Sequence, residues 1–191
     1  MNFINKLILA AVVATSFVAS ASATVIQTTA PASSFDSNWS STMLGTINLA
    51  TGTNAILGLT SSMNIVDQGW GGQDPNGNHV IVGLFSGNTY LWGQHVAGGY
   101  HNWTTQTFDI SSTPAALTSL NLALDAINWS NNPTVAMKMF TSTIGYPGWS
   151  LSTSNATFTV TSTTVPEPGS IALLGLGVAG LMMARRKVAA K

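Results

Sequence analysis

Apolar side chains alternate with Thr, Ser and other polar residues over segment after segment between residues 24 and 164. A two-residue period puts one set on one face of a strand and the other set on the opposite face. Phe108 and Ile110 oppose Thr107 and Asp109. Val135, Met137 and Met139 oppose Ala136, Lys138 and Phe140, and Phe158 and Val160 oppose Thr157, Thr159 and Thr161. Ile47 and Leu49 are followed by Ala55, Leu57 and Leu59 across a turn at residues 51–54. Residues 79–85 are apolar on both faces, the pattern of a central strand. Ser86-Gly87-Asn88 then turns the chain into residues 89–96 as a hairpin. About eight such segments, separated by Gly, Asn and Pro turns, predict an all-β fold, a β-sandwich of jelly-roll type. Residues 24–34 are small and polar and read as a lead-in. Residues 161–164 read as a linker. One stretch is ambiguous. Leu117, Leu120, Leu124 and Ile127 fall at helical spacing behind a Thr113-Pro114 start. Leu120, Leu122 and Leu124 also alternate, and the all-β surroundings favour a strand.

Charge is scarce and unevenly placed. Only 6% of the 191 residues are charged, and there is no cysteine. An ordinary soluble chain carries about 25% charge. Such a surface offers no basic stripe, so no nucleic-acid partner is expected. The missing cysteines exclude a disulfide framework, a thiolate zinc site and a cysteine nucleophile. Between residues 24 and 164 Lys138 is the one base, against Asp36, Asp67, Asp74, Asp109 and Asp125.

The two ends have a different character. Lys6, an apolar run over residues 7–19 and the small-x-small triplet Ala21-Ser22-Ala23 read as a signal peptide over residues 1–23, cleaved after Ala23. At the other end Val165-Pro166-Glu167-Pro168 breaks regular structure. Residues 171–184 then carry no polar side chain, and Arg185-Arg186-Lys187 follows. As a helix this run rises about 21 Å, short of the ~30 Å hydrocarbon core. Gly169, Ser170 and snorkelling arginines extend it to a transmembrane helix in a slightly thinned bilayer. Arg185, Arg186 and Lys187 act as a stop-transfer signal and stay cytoplasmic. The Pro-Glu-Pro triplet, the apolar run and the basic end, in that order, resemble the PEP-CTERM sorting signal of exported proteins in Gram-negative bacteria. The resemblance covers residues 165–191. It implies recognition of Pro166, Glu167 and Pro168 by an exosortase-type membrane transpeptidase. It further implies delivery to the cell surface, biofilm or extracellular polysaccharide.

The exported centre, residues 24–164, is long enough for one domain with one core. Its densest polar patch is residues 67–79, rich in glycine around Trp70. Asp74, Asn76 and Asn78 offer oxygen at alternate positions, but no Glu closes a calcium loop, and Asp-Pro-Asn-Gly is also a plain turn. A second patch holds His95, Tyr100, His101, Asn102 and Trp103. No nucleophile motif, phosphate loop or helical His pair is present, so neither catalysis, a metal nor a cofactor is expected. Asp67, Trp70, Trp92, Tyr100 and Trp103 are the candidate ligand-binding residues, with aromatic rings for the apolar faces of a sugar. Trp70 is expected at the surface, and Trp129 and Trp149 in the core. The function expected is a non-enzymatic structural or adhesive surface component. The alternative is a carbohydrate-binding module for a neutral polysaccharide.

Overall fold

The computed structural model describes residues 23–68, 77–98, 100–131, 133–144 and 149–164, with 175, 177 and 178 in the tail. Thr24–Thr164 is one compact unit. Its described residues contain nine strands: β1 (Ala23–Thr28), β2 (Ala32–Ser37), β3 (Met43–Asn48), β4 (Thr53–Gln68), β5 (His79–Ser86), β6 (Thr89–Gly98), β7 (Thr104–Asp109), β8 (Val135–Ser142) and β9 (Ser150–Thr164). One α-helix, α1 (Pro114–Asp125), lies between β7 and β8. The signal segment ahead of Ala23 lies outside the described residues. So does the tail apart from Gly175, Gly177 and Val178, which are helical. Among the described residues no helix is long and apolar enough to cross a membrane.

The strands form two sheets. One runs β1-β9-β4-β7, with β2 also on β9, and the other runs β3-β8-β5-β6. Inward residues of both sheets meet in one hydrophobic cluster. Ile56, Leu59, Met63 and Ile65 of β4 and Leu151, Phe158 and Val160 of β9 belong to it. Val80, Val82 and Leu84 of β5 and Met137 and Met139 of β8 join from the second sheet. The continuous apolar run of β5 is explained by its place between β8 and β6. The β5–β6 hairpin closes where Ser86 pairs with Thr89, and its left-handed residue is Gly87 at φ 59°. Glycine takes that conformation without a Cβ penalty.

Four sequence expectations are corrected. Residues 24–34 are no lead-in: β1 and the start of β2 lie there, both held by β9. Residues 161–164 are no linker, because β9 runs to Thr164, which pairs with Thr53. Strand β4 does not keep Ala55, Leu57 and Leu59 on one face. A register shift between Ile56 and Gly58 turns Ile56 and Leu59 inward and leaves Leu57 half-exposed. Such a bulge resets the phase that a period-two reading assumes.

The fourth correction is α1 itself. After β7 the chain has left the edge of its sheet and has no neighbouring strand to satisfy its backbone. A helix satisfies its own. Pro114 sits at the first turn, and Leu120 and Leu124 bury against the core. Asn121 then does a strand's work from the helix. Its Oδ1 accepts from the Ile56 amide at 2.8 Å, and its Nδ2 donates to the Ile56 carbonyl at 3.0 Å. Strand β7 pairs only with residues 60–65 of β4, so Asn121 covers edge groups that β7 does not reach.

The β2–β3 connection crosses from one sheet to the other through Asn38 and Trp39, both left-handed, at φ 50° and 60°. Ser40 N donates back to the Ser37 carbonyl at 3.2 Å. For a residue other than glycine this conformation costs roughly 1–2 kcal/mol. Asp36, pointing inward, anchors the turn. Its Oδ1 accepts from Thr42 Oγ1 at 2.7 Å and from Ser40 Oγ at 3.3 Å, and its Oδ2 accepts from Thr141 Oγ1 at 2.8 Å.

Candidate functional site

Asp67 near the end of β4 and Asn78 just before β5 close the base of the glycine-rich loop. Asn78 is fully buried; its Nδ2 donates to Asp67 Oδ1 at 2.7 Å, and its Oδ1 accepts from the Ile144 amide at 3.0 Å. The Asp67 amide donates to the Tyr100 carbonyl at 2.7 Å. Burial pushes the Asp67 carboxyl above its ordinary value, while the Asn78 bond and nearby His101 pull it back down. Asp67 is therefore a buried strut rather than an open ligand group. Asn78 Oδ1 is engaged by the Ile144 amide, so the run Asp74, Asn76, Asn78 loses its third calcium oxygen. Asp74 and Asn76, like Trp70, lie outside the described residues.

Beside this strut the His79 and His95 rings stack at 3.8 Å between centroids, with 22° between planes. His79 is buried and His95 exposed. Burial first, then the neighbouring His95, holds the His79 imidazole below its ordinary value, and the Gly77 backbone partly offsets them. All three histidines of the chain thus gather at the end of the sandwich that holds Asp67. Among the described residues no three His or Asp side chains group as a metal site.

The aromatic candidates part company. Tyr100 and Trp103 are exposed, Trp103 by 58%. Trp92 is not available to a ligand, because it is only 9% exposed and belongs to the core. Its Nε1 donates to Ser119 Oγ of α1 at 2.9 Å, which suits a buried indole. Its strand phase, set by a register shift between Leu84 and Phe85, turns it inward. Trp129 packs half-buried against the core, and Trp149 is also half-buried. Trp39 is 74% exposed, the largest exposure among the chain's described large hydrophobics. The sequence reading gave it no role; the signal was Asn38, a residue tolerant of left-handed backbone, flanked by serines.

A groove of about 660 Å³ lies on the first sheet. Thr60, Ser62, Thr107, Asp109, Thr157 and Thr159 line it. Register makes these a grid: Thr60 lies opposite both Asp109 and Thr159, and Ser62 opposite both Thr107 and Thr157. Ser111 N, bonded to Asp109 at 2.8 Å, holds that carboxyl below its ordinary value.

The residues of the sorting signal, Pro166, Glu167 and Pro168, and the basic Arg185, Arg186 and Lys187 lie outside the described residues, as does Ala21 of the cleavage triplet. Their order in the sequence decides the matter. The tail carries a PEP-CTERM protein-sorting motif. The match covers residues 164–187 and begins at Thr164, the last residue of β9. The motif marks an exported protein, sorted by exosortase to the envelope or surface of a Gram-negative bacterium. No family model matches the central unit. No curated protein sequence matches the chain.

Among solved structures, infectious bursal disease virus Gx strain is similar at 16% identity and a TM-score of 0.38, over 78% of this chain and 33% of that one. The VP2 subviral particle of the same virus gives 13% and 0.37, over 72% and 32%. The Stig cyclase Fisc from Fischerella sp. TAU gives 14% and 0.32, over 73% and 75%. The chain spans about a third to a half of the length of the viral chains it resembles. Likenesses this weak assign no function.

Proposed function

We propose that this chain is a non-enzymatic surface or biofilm-matrix component with a structural or adhesive role. The sorting motif at residues 164–187, joined directly to the folded unit, carries this reading. In this reading residues 1–23 are removed on export, cleaved between Ala23 and Thr24. The 171–184 run holds the protein in the inner membrane while exosortase acts at Pro166-Glu167-Pro168, with Arg185, Arg186 and Lys187 left in the cytoplasm. The strand orders β2-β9-β4-β7 and β3-β8-β5-β6 support a jelly roll for the exported unit. The test is Glu167→Ala with Pro166→Ala, expressed in the host with and without its exosortase. The variant and the exosortase-free host should both retain the protein in the inner membrane. Normal surface delivery of the variant would refute exosortase sorting through this triplet.

The second reading is a carbohydrate-binding module for a neutral polysaccharide. It is favoured by exposed rings, Tyr100 and Trp103, beside hydroxyl and amide side chains on a nearly charge-free surface.

A further inference from the structure

The Trp39 ring stands at the tip of a two-residue turn whose shape a tryptophan does not favour. Positive φ at both central residues, with Ser40 N bonded to the Ser37 carbonyl, is the type I′ arrangement. Asn-Gly is the sequence that suits it, and Asn38 occupies the first place. A bulky side chain at the second place is an outlier that the surroundings must enforce. Polar bonds do so. Asp36 is held by Ser40, Thr42 and Thr141. Ser40 Oγ accepts from the Ser37 amide at 2.8 Å, and the Ser40 carbonyl accepts from Thr143 Oγ1 at 3.0 Å. The turn is thus rigid, while the ring it carries is 74% exposed and outside the core cluster.

We propose that Trp39 is a preorganised stacking platform for a pyranose ring of a neutral polysaccharide. This rests on the carbohydrate-binding reading above and moves its centre from the Asp67 end to the β2–β3 turn. A sugar ring is amphipathic, with an apolar C–H face and hydroxyl edges. The indole covers the first by burying apolar area. The side chains of Asn38 and Ser37 beside it supply an amide and a hydroxyl for the second. The turn's one charged side chain, Asp36, is turned inward and consumed, so no charge at the tip selects an ionic ligand. A ring carried on an already ordered backbone loses less freedom on binding than one on a mobile loop.

The test uses the full chain in mild detergent. Its retention is measured on four neutral polysaccharides: cellulose, a β-1,3-glucan, mannan and starch. Trp39→Gly should raise the melting temperature by a few degrees, because Asn-Gly relieves the turn. It should weaken retention about tenfold or more. Trp39→Ala should lose retention equally, and Trp39→Tyr should keep most of it. Leu57→Ala, at an exposed side chain of β4, should bind as the parent does. If Trp39→Gly binds like the parent while Trp103→Ala or Tyr100→Ala does not, the Trp39 assignment is overturned and the carbohydrate reading stands. If Trp39→Gly lowers the melting temperature, the ring is part of the fold and the proposal fails. If the parent is retained on none of the four, the proposal and the carbohydrate reading fail together.

Discussion

His79 is buried against the exposed His95 ring, and that contact makes the fold sensitive to acid. The folded state holds the His79 imidazole below the 6.5 it has when free. As pH falls through 6.5 the unfolded chain takes up a proton that folded His79 refuses, so stability drops until the folded value is passed. Asp67 has the opposite sign. Burial raises its carboxyl above 3.8, so it adds stability as pH falls towards that value. His95, His101 and Asp67 are the ionisable groups around this contact. Melting temperatures taken from about pH 7.5 down to about pH 5.5 should fall for the parent and fall less for His79→Phe. Equal slopes for the two proteins would remove His79 as the cause. The chemistry of each residue was legible in sequence, but its exposure was not. Trp92 and Trp39 are the same residue type, and one is core while the other is a loop tip. Only the phase of a bulged strand and the hand of a turn separate them.

At the scale of elements, α1 packs Leu120 and Leu124 into the core and hydrogen-bonds to β4 of the first sheet through Asn121, which pairs like a strand. Removing the Asn121 amide leaves the Ile56 N–H and C=O without their partner. Each unpaired buried backbone group costs about 1–3 kcal/mol. Asn121→Ala should therefore destabilise by roughly 2–6 kcal/mol, read as a lower denaturant midpoint at unchanged slope. Ser119→Ala removes the Trp92 Nε1 partner and a local bond to the Ala116 carbonyl, and should cost about 1 kcal/mol. If the two variants are equally stable, Asn121 is not sealing the edge. The strands of regular period, β8 and the second half of β9, read correctly from alternation alone, and β5 from its continuous apolar run. Strand β4 was misphased, because the shift between Ile56 and Gly58 leaves no mark in composition. The helix was read as a strand because its Leu spacing satisfied both periods. What decided the matter was where β7 ends at the sheet edge, which is not local information.

On the scale of the whole molecule, the folded unit and the sorting motif meet at one residue, Thr164. A chain ending after Thr164 keeps every strand and should melt cooperatively. One ending after Thr157 lacks Phe158 and Val160, both in the core, and the pairs that β4 makes through residues 53–61. Loss of Phe158 alone costs about 3–5 kcal/mol, a large share of a domain's stability, so the shorter chain should show no cooperative melt by circular dichroism. A sharp transition from the shorter product would mean that the end of β9 is dispensable. The sequence by itself determined the destination, because an exosortase signal is linear: a Pro-Glu-Pro triplet, an apolar run and a basic end act in order along the chain, whatever the centre folds into. It also determined the all-β class, because a two-residue period in Thr-rich segments has no other compact solution. The tertiary structure alone decided that β9 would knit β1, β2 and β4 into one sheet. It also decided that Asp67 would be buried, and that Trp39 rather than Trp92 would face the solvent. Those outcomes depend on pairing between strands more than a hundred residues apart, and on bulges that shift a side chain from one face to the other. Neither leaves a local trace in the sequence.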